Sequence, residues 1–232
     1  MEKLIAASFK SIGSIFAPGM LGVFVSCLFT TFVVLVGFVF VVTVGAASFS
    51  DLISDVKLAS ALPWFTGLGA GLFAYFLFPG IMPVIVNFFD SKIARVIEQK
   101  DYPTVRPISP PFWPEFWHDA RFTLLAVILN ILVIPLYLFP IIGQIAFFAL
   151  NGHLLGKEFF VMAARRYMPL EEALALRTQH GRTIFIGGII LTVLATIPLV
   201  NLLAPFWGIA VMTHLYHALK ATPKAEILLP TD

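Results

Sequence analysis

The chain has 232 residues, of which 59% are hydrophobic and only 12% carry a charge. Because a soluble domain averages about 25% charged residues, this composition excludes an ordinary soluble enzyme. The formal net charge of +2 also argues against a nucleic-acid partner, since a nucleic-acid interface needs basic residues clustered on one face.

The charged residues leave four long segments of the chain without any charge. An uncharged apolar run of about 18 residues or more is a candidate membrane span. The four segments are residues 11–50, 58–89, 122–156 and 183–219. A secretory signal is not expected at the start, because its apolar part would be about 7 to 15 residues long, far shorter than the first segment. The sequence therefore predicts an integral membrane protein.

The first predicted element is a long helix over residues 19–50, which follows a break at Pro18 and Gly19. Backbone amides at the N-terminus of a helix have no partner within the helix and can bind an anion. Pro18, Gly19, Met20 and Leu21 are therefore a candidate anion-binding site. The alternative is a simple break between an amphipathic leader and the membrane span.

The second predicted element is a long helix over residues 58–100. Its apolar part ends at Phe89, but Ile93, Val96 and Ile97 continue the helical spacing into the charged segment without a helix breaker. The helix is therefore expected to extend out of the membrane, and a proline-rich loop follows it.

The third and fourth elements are predicted to be helical hairpins over residues 122–156 and 183–219. One crossing of a hydrocarbon layer about 30 Å thick takes about 20 residues, so each segment is too long for one crossing and too short for two. Each also has two prolines near its middle, which interrupt helices. These prolines are Pro135 and Pro140 in the third segment and Pro198 and Pro205 in the fourth. The alternative is four simple spans formed by long tilted helices.

The basic residues favour the hairpins, because short loops rich in lysine and arginine face the cytoplasm. If both hairpins enter and leave on the same side, 14 of the 15 basic residues share that side and only Lys57 lies opposite. The predicted fold is a single all-α integral membrane domain, residues 1–232, with two long transmembrane helices and two re-entrant, half-penetrating helical hairpins. Both termini are expected in the cytoplasm.

No catalytic constellation is visible in the sequence. The serine-hydrolase, zinc-protease and phosphate-binding-loop motifs are missing, so neither an enzyme nor a cofactor is expected. His214 and His217 have metal-ligand spacing, but no carboxylate or cysteine lies near them in sequence, and no metal site is predicted. Polar residues within the apolar segments either join helices through hydrogen bonds or line a polar route. They are Asn87, Asn130, Gln144, Asn151, His153 and Asn201.

Several motifs in the second half of the chain carry a family resemblance. They are Phe139-Pro-Ile-Ile-Gly143, Ala149-Leu-Asn-Gly-His-Leu-Leu-Gly-Lys-Glu-Phe-Phe160, Ala164-Arg-Arg-Tyr167, Pro198-Leu-Val-Asn-Leu-Leu-Ala-Pro205 and His214-Leu-Tyr-His217. With these motifs the chain resembles the bacterial CysZ-type sulfate permeases and the wider etoposide-induced-protein domain family. The resemblance implies two long transmembrane helices with two pairs of half-penetrating helices, assembled as oligomers. It also implies sulfate binding at a Gly-Leu-Arg element that starts the first long helix, where this chain has Gly19-Met20-Leu21.

The expected function is therefore an inner-membrane permease or channel for sulfate or a related oxyanion, which supports sulfur assimilation into cysteine. Membrane lipid and further copies of the chain are the expected partners. Asn151, Lys157 and Glu158 are expected near the mouth of a hairpin, where Lys157 attracts the anion and Glu158 pairs with Arg165 or Arg121. The alternative is a non-transporting membrane scaffold or regulatory protein of the same fold.

Overall fold

The computed structural model describes residues 1–50, 56–108, 111–197 and 199–221, and within these ranges the chain is helical with no strand. The helices are α1 (Glu2–Ile15), α2 (Met20–Ser50), α3 (Val56–Asn87), α4 (Asp90–Asp101), α5 (Phe112–Val133), α6 (Pro140–Arg165), α7 (Leu170–Gln179), α8 (Gly181–Thr196) and α9 (Ala204–Lys220). Short 3-10 helices, Ile134–Leu138 and Val200–Leu202, lie between α5 and α6 and between α8 and α9.

Four helical segments in the described part of the chain are long and apolar enough to cross a membrane. They are Met20–Ser48, Ser60–Phe78, Phe116–Leu138 and Pro140–Ala164. Gly181–Thr196 is also apolar but shorter. The prediction of an all-α chain with helices able to span a membrane is confirmed, whereas the arrangement of two spans with two re-entrant hairpins stays a prediction.

The chain divides into two compact units, and residues 21–91 form the smaller one. In this unit α2 and α3 approach each other where Thr43 lies beside Gly67, and the rings of Phe38 and Phe73 lie 6.2 Å apart. Large apolar side chains of both helices are exposed, among them Phe32, Phe40, Trp64 and Phe65. Such an apolar surface is suited to contact with lipid.

The segment predicted as one helix over residues 58–100 is divided into two helices. α3 ends at Asn87, and Phe88 and Phe89 form a turn before α4 begins at Asp90. The carboxylate of Asp90 accepts a hydrogen bond from the backbone N–H of Ser91. Aspartate competes with helical hydrogen bonding inside a helix but is favourable at a helix N-terminus, which explains why the new helix starts there.

The larger unit contains residues 1–20 and the described residues from 92 onwards, and α9 forms its core. Nearly all of α9 between Ala204 and Tyr216 is buried, and it contacts α1, α6 and α8. α1 packs its buried residues against α9 at the spacing of three and four that an amphipathic helix requires. These residues are Leu4, Ala7, Ser11 and Ser14.

Glycines bring α6 and α8 into backbone contact. A Cβ atom added to Gly188 would collide with the carbonyl oxygen of Gly152, and one added to Gly156 would lie 2.6 Å from the carbonyl oxygen of Ile184. Small residues four positions apart allow this kind of close approach between membrane helices. The contact fixes the position of α6 against α8 and, with it, the polar residues that follow Gly152 and Gly156.

α5 and α6 form a hairpin whose tip contains the prolines that the sequence marks as breaks. Pro135 lies in the 3-10 helix, and Pro140 is the first residue of α6. Gly143 completes the tip, because its N–H donates to the carbonyl oxygen of Phe139 at 2.7 Å and a Cβ there would lie 2.9 Å from the Cα atom of Tyr137. In the second hairpin, Pro205 lies in the first turn of α9, and Pro198 lies outside the described residues.

Both helices of the α5–α6 hairpin extend beyond the uncharged segment 122–156, since α5 begins at Phe112 and α6 ends at Arg165. The absence of charge marks the apolar part of a helix, whereas the helix itself continues until a breaker or a better capping arrangement appears. The charged ends of α5 and α6 therefore lie together, opposite the tip.

Candidate functional site

An ion pair closes the charged end of the α5–α6 hairpin. Arg165 donates from Nη1 to Oδ1 and Oδ2 of Asp119 at 2.8 and 3.0 Å. Arg165 was predicted to pair with Glu158; it hydrogen-bonds to Asp119 on the neighbouring helix, and its positive charge also acts on Glu158. Arg121, the other expected partner of Glu158, is exposed on α5.

Glu158 lies in an open groove of about 550 Å³ along the same hairpin. The groove is lined by Phe122, Thr123, Ala126, Val127, Asn130, Ile131, Ile134, Tyr137 and Glu158. It is apolar apart from a few polar side chains. Glu158 is exposed in this groove, and a carboxylate within a membrane segment is costly and is a frequent marker of an ion pathway in membrane proteins.

Two of the predicted polar residues bond to their own helix rather than to another one. The side-chain amide of Asn130 donates to the carbonyl oxygen of Ala126 at 2.8 Å, and that of Asn151 donates to the carbonyl oxygen of Phe147 at 2.9 Å. Each contact uses one of the two N–H donors of the amide and does not join two helices. The carbonyl groups of the two side chains can still accept hydrogen bonds from water or a ligand.

The predicted anion-binding segment has the backbone break that the sequence indicates. Gly19 has a φ angle of +91°, a conformation that favours glycine. The N–H of Met20 donates to the carbonyl oxygen of Ala17 at 3.0 Å, so this amide is already used. The side chain of Met20 is 1% exposed, whereas that of Leu21 is 71% exposed. Of the two side chains that follow Gly19, only Leu21 is open to its surroundings.

A buried polar network joins α1, the end of α4 and α9. In the imidazole ring of His214, the Nε2 atom lies 2.9 Å from the hydroxyl oxygen of Ser14. The Nδ1 atom lies 2.8 Å from the hydroxyl oxygen of Tyr102. The hydroxyl of Ser14 also donates to Asp101 at 3.0 Å. Because a serine hydroxyl has one proton to donate, Nε2–H of His214 donates to Ser14, and Nδ1 accepts from Tyr102.

This network uses the two histidines that have metal-ligand spacing. Both nitrogens of His214 are hydrogen-bonded, and the ring of His217 stacks on that of Tyr102 at 3.7 Å. Burial and the neighbouring charge of Asp101 raise the pKa of Tyr102 to about 12, so its hydroxyl remains protonated at neutral pH. The histidines therefore connect α9 to α1 and α4.

A second buried network was missed in the sequence because its members are far apart along the chain. Arg166 donates from Nε and Nη2 to the two carboxylate oxygens of Glu98 at 2.7 and 3.0 Å, and Tyr167 donates its hydroxyl at 2.7 Å. Burial raises the pKa of Glu98, but the hydrogen bonds from Arg166 and Tyr167 and the positive charge of Arg166 outweigh it and hold this pKa below its ordinary value. The network attaches α4 to the end of α6.

Comparison with known proteins supports the family resemblance of the sequence. The sequence profile of a protein family described as "Sulfate transporter CysZ/Etoposide-induced protein 2.4" matches residues 7–205. No curated protein and no solved structure matches the chain. The family match covers most of the chain and confirms the resemblance seen in its motifs. The protein therefore belongs to the CysZ/etoposide-induced-protein family, whose members are of the transporter type.

Proposed function

We propose that the protein is a permease or channel that carries sulfate, or a related oxyanion, across the bacterial inner membrane and so supports sulfur assimilation into cysteine. The family match over residues 7–205 is the observation that carries this proposal. The helices able to span a membrane and the charged groups at the end of the α5–α6 hairpin are consistent with it.

We further propose that α2 and α3 are full spans and that α5–α6 and α8–α9 enter the membrane and return to the cytoplasmic side. The uncharged part of each arm of the first hairpin, residues 122–138 and 140–156, measures about 25 Å at about 1.5 Å per residue, less than the hydrocarbon thickness of about 30 Å, although the whole helical segments Phe116–Leu138 and Pro140–Ala164 are long enough to cross. Leu138 and Ile141 at the tip are 81% and 78% exposed. An apolar, uncharged tip is favourable within lipid and unfavourable in water, which supports the re-entrant arrangement.

The groove that contains Glu158 supports the proposal that the functional form is a homo-oligomer. The groove is open in a single copy of the chain, and a carboxylate facing hydrocarbon would be strongly unfavourable. A neighbouring copy would cover the groove and leave a polar, hydrated passage. In this proposal Asn151, Lys157, Glu158, Arg121 and Arg165 form the polar network near that passage.

We expect purified protein in liposomes to take up labelled sulfate faster than protein-free liposomes. Size-exclusion chromatography must show that the wild-type protein is folded and monodisperse. Uptake equal to that of empty liposomes, with folded protein present, would contradict transport and favour a scaffold or regulatory role.

The position of the anion-binding segment can be tested with Leu21→Arg. The exposed side chain of Leu21 stands where the resemblance implies a sulfate-binding arginine, and a guanidinium adds bidentate, charge-assisted hydrogen bonds to an oxyanion. We expect this variant to bind sulfate about tenfold more tightly than the wild type in calorimetry, equivalent to about 1.4 kcal/mol. The matched control is Phe29→Arg, since Phe29 is also exposed on α2 but lies far from its N-terminus. An equal effect of both substitutions would contradict a site at Pro18–Leu21.

A further inference from the structure

Three basic side chains lie together where α6 meets α7. His153 and Lys157 are four residues apart and therefore lie on the same face of α6. Arg177 on α7 approaches this face, with its Nη2 atom 3.2 Å from Nε2 of His153. The positive charge of Arg177 acts on both His153 and Lys157, and that of Lys157 acts on His153.

This basic cluster, His153, Lys157 and Arg177, has no carboxylate partner within the described part of the chain. The ammonium group of Lys157 lies over the ring of Phe122 at 4.6 Å, and Arg177 donates to a histidine nitrogen. By contrast, Arg165 and Arg166 each bind both oxygens of a carboxylate. Neighbouring positive charges repel one another, so the cluster gains stability when an anion binds to it.

Apart from Nε2 of His153, the hydrogen-bonding groups of the cluster are donors. A guanidinium group has no acceptor, so Nε2 of His153 accepts from Arg177 and the ring proton of the neutral histidine lies on Nδ1. Lys157 adds three N–H donors. The Nε atom of Arg177 is buried without an acceptor among the described residues, which is energetically unfavourable. A bound oxyanion has the acceptor oxygens that these groups lack.

The backbone that presents the cluster is held in place. His153 and Lys157 directly follow Gly152 and Gly156, the two glycines through which α6 contacts α8. A site on a fixed helix does not have to be ordered when the ligand binds, and this favours affinity. His153 is exposed and Lys157 is half-buried in a single copy of the chain, so neither side chain is enclosed by the fold and both are accessible to a ligand.

We propose that His153, Lys157 and Arg177 form a binding site for a tetrahedral oxyanion at the α6–α7 junction, separate from the segment Pro18–Leu21. That the ion is sulfate rests on the proposed function. That the ligand is an oxyanion is inferred from the positive charges and hydrogen-bond donors of the cluster. In a transporter this site would collect the oxyanion at the charged end of the α5–α6 hairpin before it passes along the helices.

The test measures sulfate binding to the purified full-length protein by calorimetry, with chloride replacing sulfate at constant ionic strength. We expect Lys157→Gln and Arg177→Gln each to weaken sulfate binding about tenfold or more, because each removes a charge-assisted donor. Lys157→Arg keeps the positive charge and a charge-assisted donor and should therefore lose less sulfate affinity than Lys157→Gln. The matched controls are Lys220→Gln and Arg182→Gln, which remove exposed charges outside the cluster and should leave the affinity unchanged.

The outcomes separate this site from the proposed transport activity. If both cluster variants, shown to be folded by their melting temperatures, bind sulfate as tightly as the wild type, the site is overturned even when the wild type transports sulfate. If the cluster variants lose binding and Lys157→Arg loses less, the site is supported. That support remains even when wild-type liposomes take up no sulfate, and in that case only the proposed transport fails.

Discussion

Replacing Gly188 by alanine is expected to destabilise the protein by about 3 kcal/mol or more. Overpacking a tight core costs about 1–3 kcal/mol and occasionally more, and here the added methyl group would collide with the carbonyl oxygen of Gly152. Because the obstacle is backbone on α6, no side-chain rotation can relieve the collision. α6 and α8 must then separate or shift. Thermal unfolding of the detergent-solubilised protein should show a clearly lowered Tm.

The same helix offers a matched control. Gly181 also lies in α8, but a Cβ atom there would have no described heavy atom within 4 Å. Alanine favours the helix by up to about 1 kcal/mol relative to glycine, so Gly181→Ala should leave the Tm unchanged or raise it slightly. Equal losses of stability in Gly181→Ala and Gly188→Ala would contradict the α6–α8 contact as the cause, since only Gly188 lies against α6.

The distribution of charge predicts most of the helical architecture, because uncharged segments must lie in an apolar environment. The prolines of the first hairpin were also informative, since Pro135 and Pro140 both lie at its tip. The absence of charge does not show where a helix ends. For this reason the sequence prediction missed the extension of α6 to Arg165 and the turn at Phe88 and Phe89 that separates α3 from α4.

The partners of the charged residues could not be predicted from spacing along one helix. Glu158 and Arg165 are seven residues apart on α6 and are a natural pair by sequence, yet Asp119 on α5 binds Arg165. Arg177 approaches His153 only because α7 folds back on α6. The spacing of Gly152 and Gly156 was a visible signal of close helix packing, but nothing near it in sequence identified Gly188 as the contact.

Removing the charge of Glu98 is the second substitution with a large expected effect. Glu98 is 6% exposed and makes a bidentate ion pair with Arg166. Breaking a buried ion pair by removing one partner costs about 3–5 kcal/mol, because the other charge is left uncompensated. We expect Glu98→Gln to lose about this much stability in chemical or thermal unfolding. The control is Glu171→Gln, which removes an exposed carboxylate at the start of α7 and should cost about 1 kcal/mol or less.

The same ion pair makes stability dependent on pH in a direction that can be tested. The pKa of Glu98 in the folded protein lies below its ordinary value of 4.5. A carboxylate with a lowered pKa stabilises the fold fully above the pKa of the unfolded chain, and this stabilisation is lost as the pH falls through the folded value. The wild type should therefore be much more stable than Glu98→Gln at pH 7, and the difference should shrink as the pH falls below about 4.5. A difference that stays constant between pH 7 and pH 3 would contradict a stabilising role for the charge and indicate that only the shape of the side chain matters.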